Sequence, residues 1–140
     1  NWDTAWATAK SEGIVHTFFP LDLKIPMVAP RDLGEVAAKL ITAPLKQTDC
    51  VHVEGPARYS SAEVAAAFSA ALGRAVKAKV VPEPQWMPTF KALGFSERAA
   101  RSYANMTRTV LENDFPDESG TLHGKTSLNE YIRKQAAKAG

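Results

Sequence analysis

The hydrophobic pattern over residues 24–41 changes from a short apolar run to a helical repeat. The repeat places five apolar residues on one helix face: Leu33, Val36, Ala37, Leu40 and Ile41. Asp32 is predicted to cap this helix, with Glu35 three residues later completing a capping box. Because only a few residues join strand and helix, we expect the helix to fold back over a sheet that contains Ile25 and Val28.

Three other segments have the composition or alternation of β-strands, at residues 14–19, 51–53 and 76–80. In the third, Val76 and Val80 are predicted to face inward, whereas Lys77 and Lys79 face water. Residues 114–124 contain Gly and Pro among polar residues and are predicted to be a loop.

The segments between these predicted strands have sequence patterns typical of helices. Residues 2–10 have the composition of a helical tail, and residues 85–93 are predicted to form a short helix. Ser60 and Glu63 fit a capping box before a stripe of Val64, Phe68 and Leu72 that stops at Gly73.

Two further helices are expected near the carboxyl terminus. Ser96 is predicted to cap the first, in which four residues share one face: Ala99, Tyr103, Met106 and Val110. Ser127 with Glu130 repeats the capping-box pattern before the last helix. About four short strands thus alternate with about five helices, which favours an α/β fold.

Composition limits the function classes without choosing one. The chain has 140 residues, 45% of them hydrophobic, which is enough for the core of one domain. With 17 basic and 15 acidic residues and no basic run, nucleic-acid or membrane binding is not expected. Cys50 is the single cysteine, so an internal disulfide is impossible and a cytoplasmic location is expected. Because the sequence begins with Asn1, we expect it to be a piece of a longer protein.

Motifs for nucleotide binding and proton transfer are incomplete. Residues 119–127 resemble a phosphate loop, but Ser119 stands where the first glycine is required, so a loop leading into the Ser127 cap is preferred. The dinucleotide fingerprint G-x-G-x-x-G and the Tyr-x-x-x-Lys pair of short-chain reductases are both absent. The three histidines are too scattered for a local metal site.

Two groups of side chains have open interpretations. Arg98, Arg101 and Arg108 lie on one predicted helix and form either an anion-binding face or, as preferred, a solvated one. An aromatic set either lines a pocket for a flat molecule or belongs to the core, with the core preferred: Phe18, Phe19, Trp86 and Phe90.

Several phrases together resemble the C-terminal half of NmrA-like proteins, which are atypical short-chain dehydrogenase/reductase relatives. The similarity covers residues 24–41, 51–74, 76–106 and 123–132, in order. P-M-V-A-P-R-D-L-G and E-G-P-x-x-Y-S are moderately specific for the wider group, and Q-W followed by G-F-S-E-R narrows it. The resemblance implies the C-terminal portion of a Rossmann-like NAD(P)-binding fold. Residues 1–140 would be a single substrate lobe without the dinucleotide-binding half.

The resemblance also implies where function lies. NAD(P) would bind the N-terminal half of the parent, so no residue of this chain is assigned to catalysis or cofactor binding, and no cofactor or metal is expected for the chain alone. The surface that closes over substrate and nicotinamide is expected to include five residues: Phe18, Phe19, Pro20, Met27 and Trp86. Trp86 is the candidate for a lid.

Three function hypotheses follow from the resemblance. The preferred one is the substrate lobe of an NAD(P)H-dependent oxidoreductase for quinone-like or other small electrophiles, inactive in isolation. The others are part of a non-catalytic NAD(P)-sensing regulator that binds a protein partner, and a stand-alone interaction module. Without the missing half, the stripes of the two central helices and a sheet edge near Val51 would be uncovered, so self-association is expected.

Overall fold

The computed structural model describes residues 2–44, 50–113, 115–116 and 119–138. Within these ranges the chain is α/β, with six short strands and six α-helices. The strands are β1 Ile14–Thr17, β2 Ile25–Pro26, β3 Val53–Glu54, β4 Arg58–Tyr59, β5 Lys77–Val80 and β6 Leu122–His123. The helices are α1 Trp6–Ser11, α2 Pro30–Thr42, α3 Ser61–Leu72, α4 Trp86–Ala92, α5 Glu97–Glu112 and α6 Leu128–Lys138. Two 3-10 turns, Asp3–Ala5 and Glu83–Gln85, lead into α1 and α4.

The strands pair as three separate two-stranded sheets. β1 runs parallel to β5 with Ile14 opposite Lys77, β2 is antiparallel to β4, and β3 is parallel to β6. The sequence pattern missed β4 and β6, and β6 lies within the segment predicted as a loop. Strands of two residues are too short to carry a repeat of period two, so only their partners define them.

Helix α3 forms as its sequence predicts. The Ser60 hydroxyl accepts a hydrogen bond from the Glu63 amide at 3.3 Å, and the Ser60 amide donates to the Glu63 carboxylate at 2.7 Å. Gly73 follows the helix with φ of 62°, a left-handed conformation that glycine adopts without strain. The capping box and the glycine stop are therefore confirmed.

The larger core cluster surrounds α3. It contains apolar residues from the amino-terminal segment, β1, α3, the start of β5 and α6: Ala5, Ala9, Val15, Val64, Ala67, Phe68, Val76, Leu128 and Ile132. Trp6 of α1 meets Phe68 edge to face, with ring centroids 4.7 Å apart. The segment expected to be a helical tail is thus part of the core. The expectation that the α3 stripe lies uncovered is wrong, because Val64 and Phe68 are fully buried within the chain.

The smaller core cluster joins α4 and α5. It consists of Val81, Trp86, Phe90, Ala100 and Ala104, with Phe18, Met87 and Phe95 packed against it. The apolar face predicted for α5 is not its most buried one: Tyr103 and Met106 are exposed, although the Tyr103 ring contacts Phe90 and Phe95. The residues that α5 buries are Ala100, Ala104 and Thr107. Because alanine side chains are small, they let α4 pack closely against α5. A sequence pattern based on hydrophobicity favours larger apolar side chains and therefore overlooks these alanines. Val80, expected to face inward, is also exposed.

Helix α2 differs from its prediction at both its start and its packing. It begins at Pro30, its cap position is Ala29, and no side chain caps it. Its apolar stripe does not cover a sheet: Leu33 and Leu40 are each 46% exposed and Ile41 is 83% exposed. The stripe is predicted correctly as a pattern, but its burial against the strand before it is wrong.

Self-association stays a prediction, and the α2 stripe gives it a specific test. An apolar helix face open to water favours a second copy of the chain as its cover. We expect Ile41→Glu to reduce concentration-dependent association in sedimentation velocity, because a charge then lies within the apolar stripe, at its most exposed residue. Leu93→Glu, at an exposed position beyond α4, is the matched control. A chain that sediments as a monomer at every concentration would contradict the prediction.

Candidate functional site

The carboxyl ends of β1 and β5 meet at one edge and form the candidate site. Ligands of open α/β sheets bind outside the carboxyl ends of the parallel strands. The β1–β5 ladder continues past its last pair, because the Val81 amide donates to the Thr17 carbonyl at 2.8 Å. Thr17 is buried, and its hydroxyl lies 2.7 Å from the Ser61 hydroxyl. The Phe19 amide also donates to the Thr17 hydroxyl at 3.1 Å, which fixes the turn after β1.

An aromatic cluster lies beside this edge. Phe18 stacks on Phe90 with ring centroids 4.7 Å apart and 23° between planes, and meets Trp86 edge to face at 6.4 Å. Trp86 is only 4% exposed, and its indole N–H donates to the Val81 carbonyl at 2.8 Å. Of Phe18, Trp86 and Phe90, Phe18 is the one that is only half-buried, so its ring is the most accessible of the three. The arrangement suits the face of a flat apolar molecule laid against Phe18.

The five residues expected to bind substrate do not form one group. Phe18 and Trp86 share the aromatic cluster, whereas Met27 packs against the larger core, where its sulfur accepts a hydrogen bond from the Trp2 indole at 3.4 Å. Phe19 is half-buried and Pro20 exposed on the turn between β1 and β2. Substrate binding by these residues therefore stays a prediction. In this conformation Trp86 is buried within the smaller core cluster.

A second set of polar contacts, around Asp32, was missed by sequence reasoning. The Asp32 carboxylate, on a residue only 8% exposed, accepts hydrogen bonds from the Thr126 amide at 2.7 Å and the Thr126 hydroxyl at 2.8 Å. The bond from the Thr126 amide, more than any other cause, lowers the pKa of Asp32 below its usual value. A β-carbon on Gly124 would lie 2.9 Å from that of Asp32, so glycine is required for this close approach. These contacts join α2 to the segment before α6.

The same contacts show how residues 119–127 are used. Since the Thr126 amide and hydroxyl both bind Asp32, the amide is not available to a phosphate. The segment leads into α6, where the Ser127 hydroxyl accepts from the Glu130 amide at 3.3 Å, so the Ser127 cap is confirmed, although β6 lies within the predicted loop. The residues present do not fit the phosphate-binding part of a dinucleotide site, and no chemical step is assigned to a nucleotide here.

The remaining candidate residues have ordinary partners. His123 lies with a ring nitrogen 3.0 Å from the Gly55 carbonyl, and Cys50 is exposed. No group of potential metal ligands occurs in the part of the chain that the structure describes. Over the same residues, no helix combines the length and the hydrophobicity needed to cross a membrane. Arg108 pairs with Glu83 at 2.7 Å and Arg101 with Glu97 at 3.5 Å, and Arg101 is exposed, in agreement with a solvated face.

Solved structures define the class of fold. The chain is similar to an NADPH-dependent quinone oxidoreductase from Escherichia coli, with a TM-score of 0.74 and 20% identity over 94% of this chain and 50% of that one. It is also similar to the triphenylmethane reductase of a Citrobacter species, with a TM-score of 0.67 and 20% identity over 94% of this chain and 46% of that one. The predicted fold is confirmed: α/β, as in the C-terminal part of a Rossmann-like NAD(P)-binding reductase.

Sequence comparison adds one relative. The chain is 35% identical, over 77 residues, to an NAD(P)H azoreductase of Xenophilus azovorans. The aligned region covers 55% of this chain and 27% of that protein. No family model matches the sequence. The chain therefore spans about a quarter of the azoreductase and about half of the two solved reductases. Its similarity is to NAD(P)-dependent reductases.

Proposed function

We propose that this chain is the substrate-binding lobe of an NmrA-like NAD(P)H-dependent oxidoreductase that reduces quinone-like or other flat electrophiles. The observation that carries the proposal is the aromatic cluster at the carboxyl ends of β1 and β5, where Phe18 is half-buried and stacked on Phe90. The sequence relative is a reductase of azo compounds, and two proteins of this fold are named as reductases of quinones and dyes. The aromatic cluster and these similarities support a planar substrate.

The nicotinamide cofactor belongs, in this proposal, to a dinucleotide-binding half outside these residues. The sequence has no G-x-G-x-x-G loop, and the Thr126 amide that resembles part of a phosphate loop is bonded to Asp32. Hydride transfer requires the reactive carbon of the cofactor to be held close to the substrate. This chain supplies the wall on which a substrate rests, and we expect it to lack turnover when it is alone.

Quinone binding without turnover is the test. Duroquinone is a suitable probe because its fully substituted ring resists addition of the Cys50 thiol. We expect the chain to bind duroquinone, measured by chemical shift changes of the residues around Phe18, without oxidising NADPH in its presence. Phe18→Ala should weaken binding by about twofold to tenfold, since an aromatic contact contributes about 0.5–1.5 kcal/mol.

Phe95→Ala is the matched control, because Phe95 is also half-buried and also contacts Phe90, at 5.8 Å, but is not assigned to the proposed surface. Equal weakening by both variants would show a general loosening of the cluster and contradict the binding surface. Oxidation of NADPH by the chain alone would contradict the proposal that the cofactor binds a half of the protein outside these residues.

A further inference from the structure

A shallow groove between α4 and α5 is lined by both apolar and charged side chains. Its volume is about 620 Å³, within the range of small-molecule sites. Met87 and Pro88 supply its accessible apolar surface, whereas Ala104 is almost fully buried. Four charged side chains also line the groove: Lys91, Glu97, Arg101 and Arg108. Met87 and Ala104 also belong to the smaller core cluster, so this surface rests on well-packed side chains.

The positive charges of the groove outnumber the acidic group that neutralises them. The Glu97 carboxylate binds the Lys91 ammonium at 3.0 Å and the Arg101 guanidinium at 3.5 Å, so one carboxylate serves two cations. The Lys91 ammonium lies closer to the Glu97 carboxylate than Arg101 does, and the hydrogen bond from Lys91 is the main reason that the pKa of Glu97 is lowered. Arg108 also lines the groove, but its guanidinium pairs with the Glu83 carboxylate at 2.7 Å. Arg101 is therefore the cation with the weakest partner.

We propose that the α4–α5 groove binds an amphipathic organic anion, with its flat apolar body on Met87 and Pro88 and its acidic group on Arg101. Exposed ion pairs contribute little to stability, so a ligand displaces Arg101 from Glu97 at small cost. The planar guanidinium then has several N–H donors available for a carboxylate or sulfonate. A single excess charge is too little for a polyanion such as nucleic acid, which requires many cationic contacts.

The test compares two probes of similar shape and different charge, naphthalene-2-sulfonate and neutral 2-naphthalenemethanol. Binding is measured at low ionic strength by calorimetry and by chemical shift changes along α4 and α5. We expect the sulfonate to bind about fivefold to tenfold more tightly than the neutral probe, because only the anion gains the contact with Arg101. Added salt should reduce this difference.

Three substitutions separate a built site from a general attraction of anions. Arg101→Gln should remove the preference for the sulfonate, whereas Glu97→Gln should strengthen sulfonate binding by freeing both cations. Arg98→Gln is the matched control, because Arg98 is exposed on the same helix but outside the groove lining, and it should leave binding unchanged.

Equal affinity for the two probes, or equal loss from Arg98→Gln and Arg101→Gln, would overturn the proposal. So would weaker sulfonate binding by Glu97→Gln. The result is independent of the proposed reductase function, because that test uses an uncharged quinone and the residues around Phe18.

Discussion

Replacing Gly55 with alanine is expected to destabilise the protein by about 3 kcal/mol, at the upper end for overpacking. A β-carbon at this position would overlap the Met27 carbonyl oxygen. The main chain fixes the position of a β-carbon, and the carbonyl is itself main chain, so no side-chain rotation relieves the overlap and the β2–β4 and β3–β6 sheets must separate. The Gly55 carbonyl also lies 3.0 Å from a ring nitrogen of His123, so the shift would disturb a second contact. Unfolding by denaturant, followed by circular dichroism, measures the loss.

Gly34→Ala is the matched control, because the same methyl group is added within α2 with no atom closer than 4 Å. There alanine should stabilise the protein by about 0.5–1 kcal/mol, since it restricts the unfolded chain and favours helix. The two substitutions are thus expected to have opposite signs. Equal effects would show that the close approach of Gly55 to Met27 is not a constraint on the fold.

Asp32→Asn is expected to destabilise the protein by about 2 kcal/mol near pH 7, because two hydrogen bonds to a carboxylate become bonds to a neutral amide. Hydrogen bonding to Thr126 lowers the pKa of Asp32 in the folded state. Its contribution is therefore present above the unfolded value, near 3.8, and is lost as pH falls through the folded value. The difference between wild type and Asp32→Asn should shrink toward zero as the pH falls into this range.

Measurement of unfolding free energy at a series of pH values checks this prediction. Glu35→Gln is the control, because Glu35 is exposed on the same helix and bonded to Arg31, so its loss should change stability by less than about 0.5 kcal/mol. Some acid sensitivity should persist in Asp32→Asn, since the amide of Ser60 lowers the pKa of Glu63 as well. A constant difference between wild type and Asp32→Asn at all pH values would contradict the role of the carboxylate.

Local capping signals were the most reliable part of the sequence. Ser60 and Glu63 form their capping box, and Ser96 accepts a hydrogen bond from the Ala99 amide at 3.2 Å. Asp32 shows the limit of such signals. Its spacing to Glu35 is that of a helix cap, but in the structure its carboxylate accepts a hydrogen bond from the amide of Thr126, 94 residues along the chain. A cap and a long-range acceptor require the same type of side chain, so sequence alone does not separate them.

The candidate site was predicted in part. Phe18, Trp86 and Phe90 were identified as a set that is either core or pocket, and the structure places them in contact at the edge of a parallel strand pair. Their membership in the buried cluster agrees with the preferred interpretation as core. Met27 was assigned to the same surface but packs against a different cluster, because assignment by resemblance carries no contact information for this chain.

The sequence by itself determined the kinds of elements and most of their ends, because caps, glycine stops and helical repeats act over a few neighbouring residues. Tertiary structure alone decided which face of α5 is buried and that β6 forms inside an apparent loop. Those outcomes depend on surfaces from other elements, α4 for α5 and the distant β3 for β6. Burial free energy between distant segments is not encoded in any local pattern.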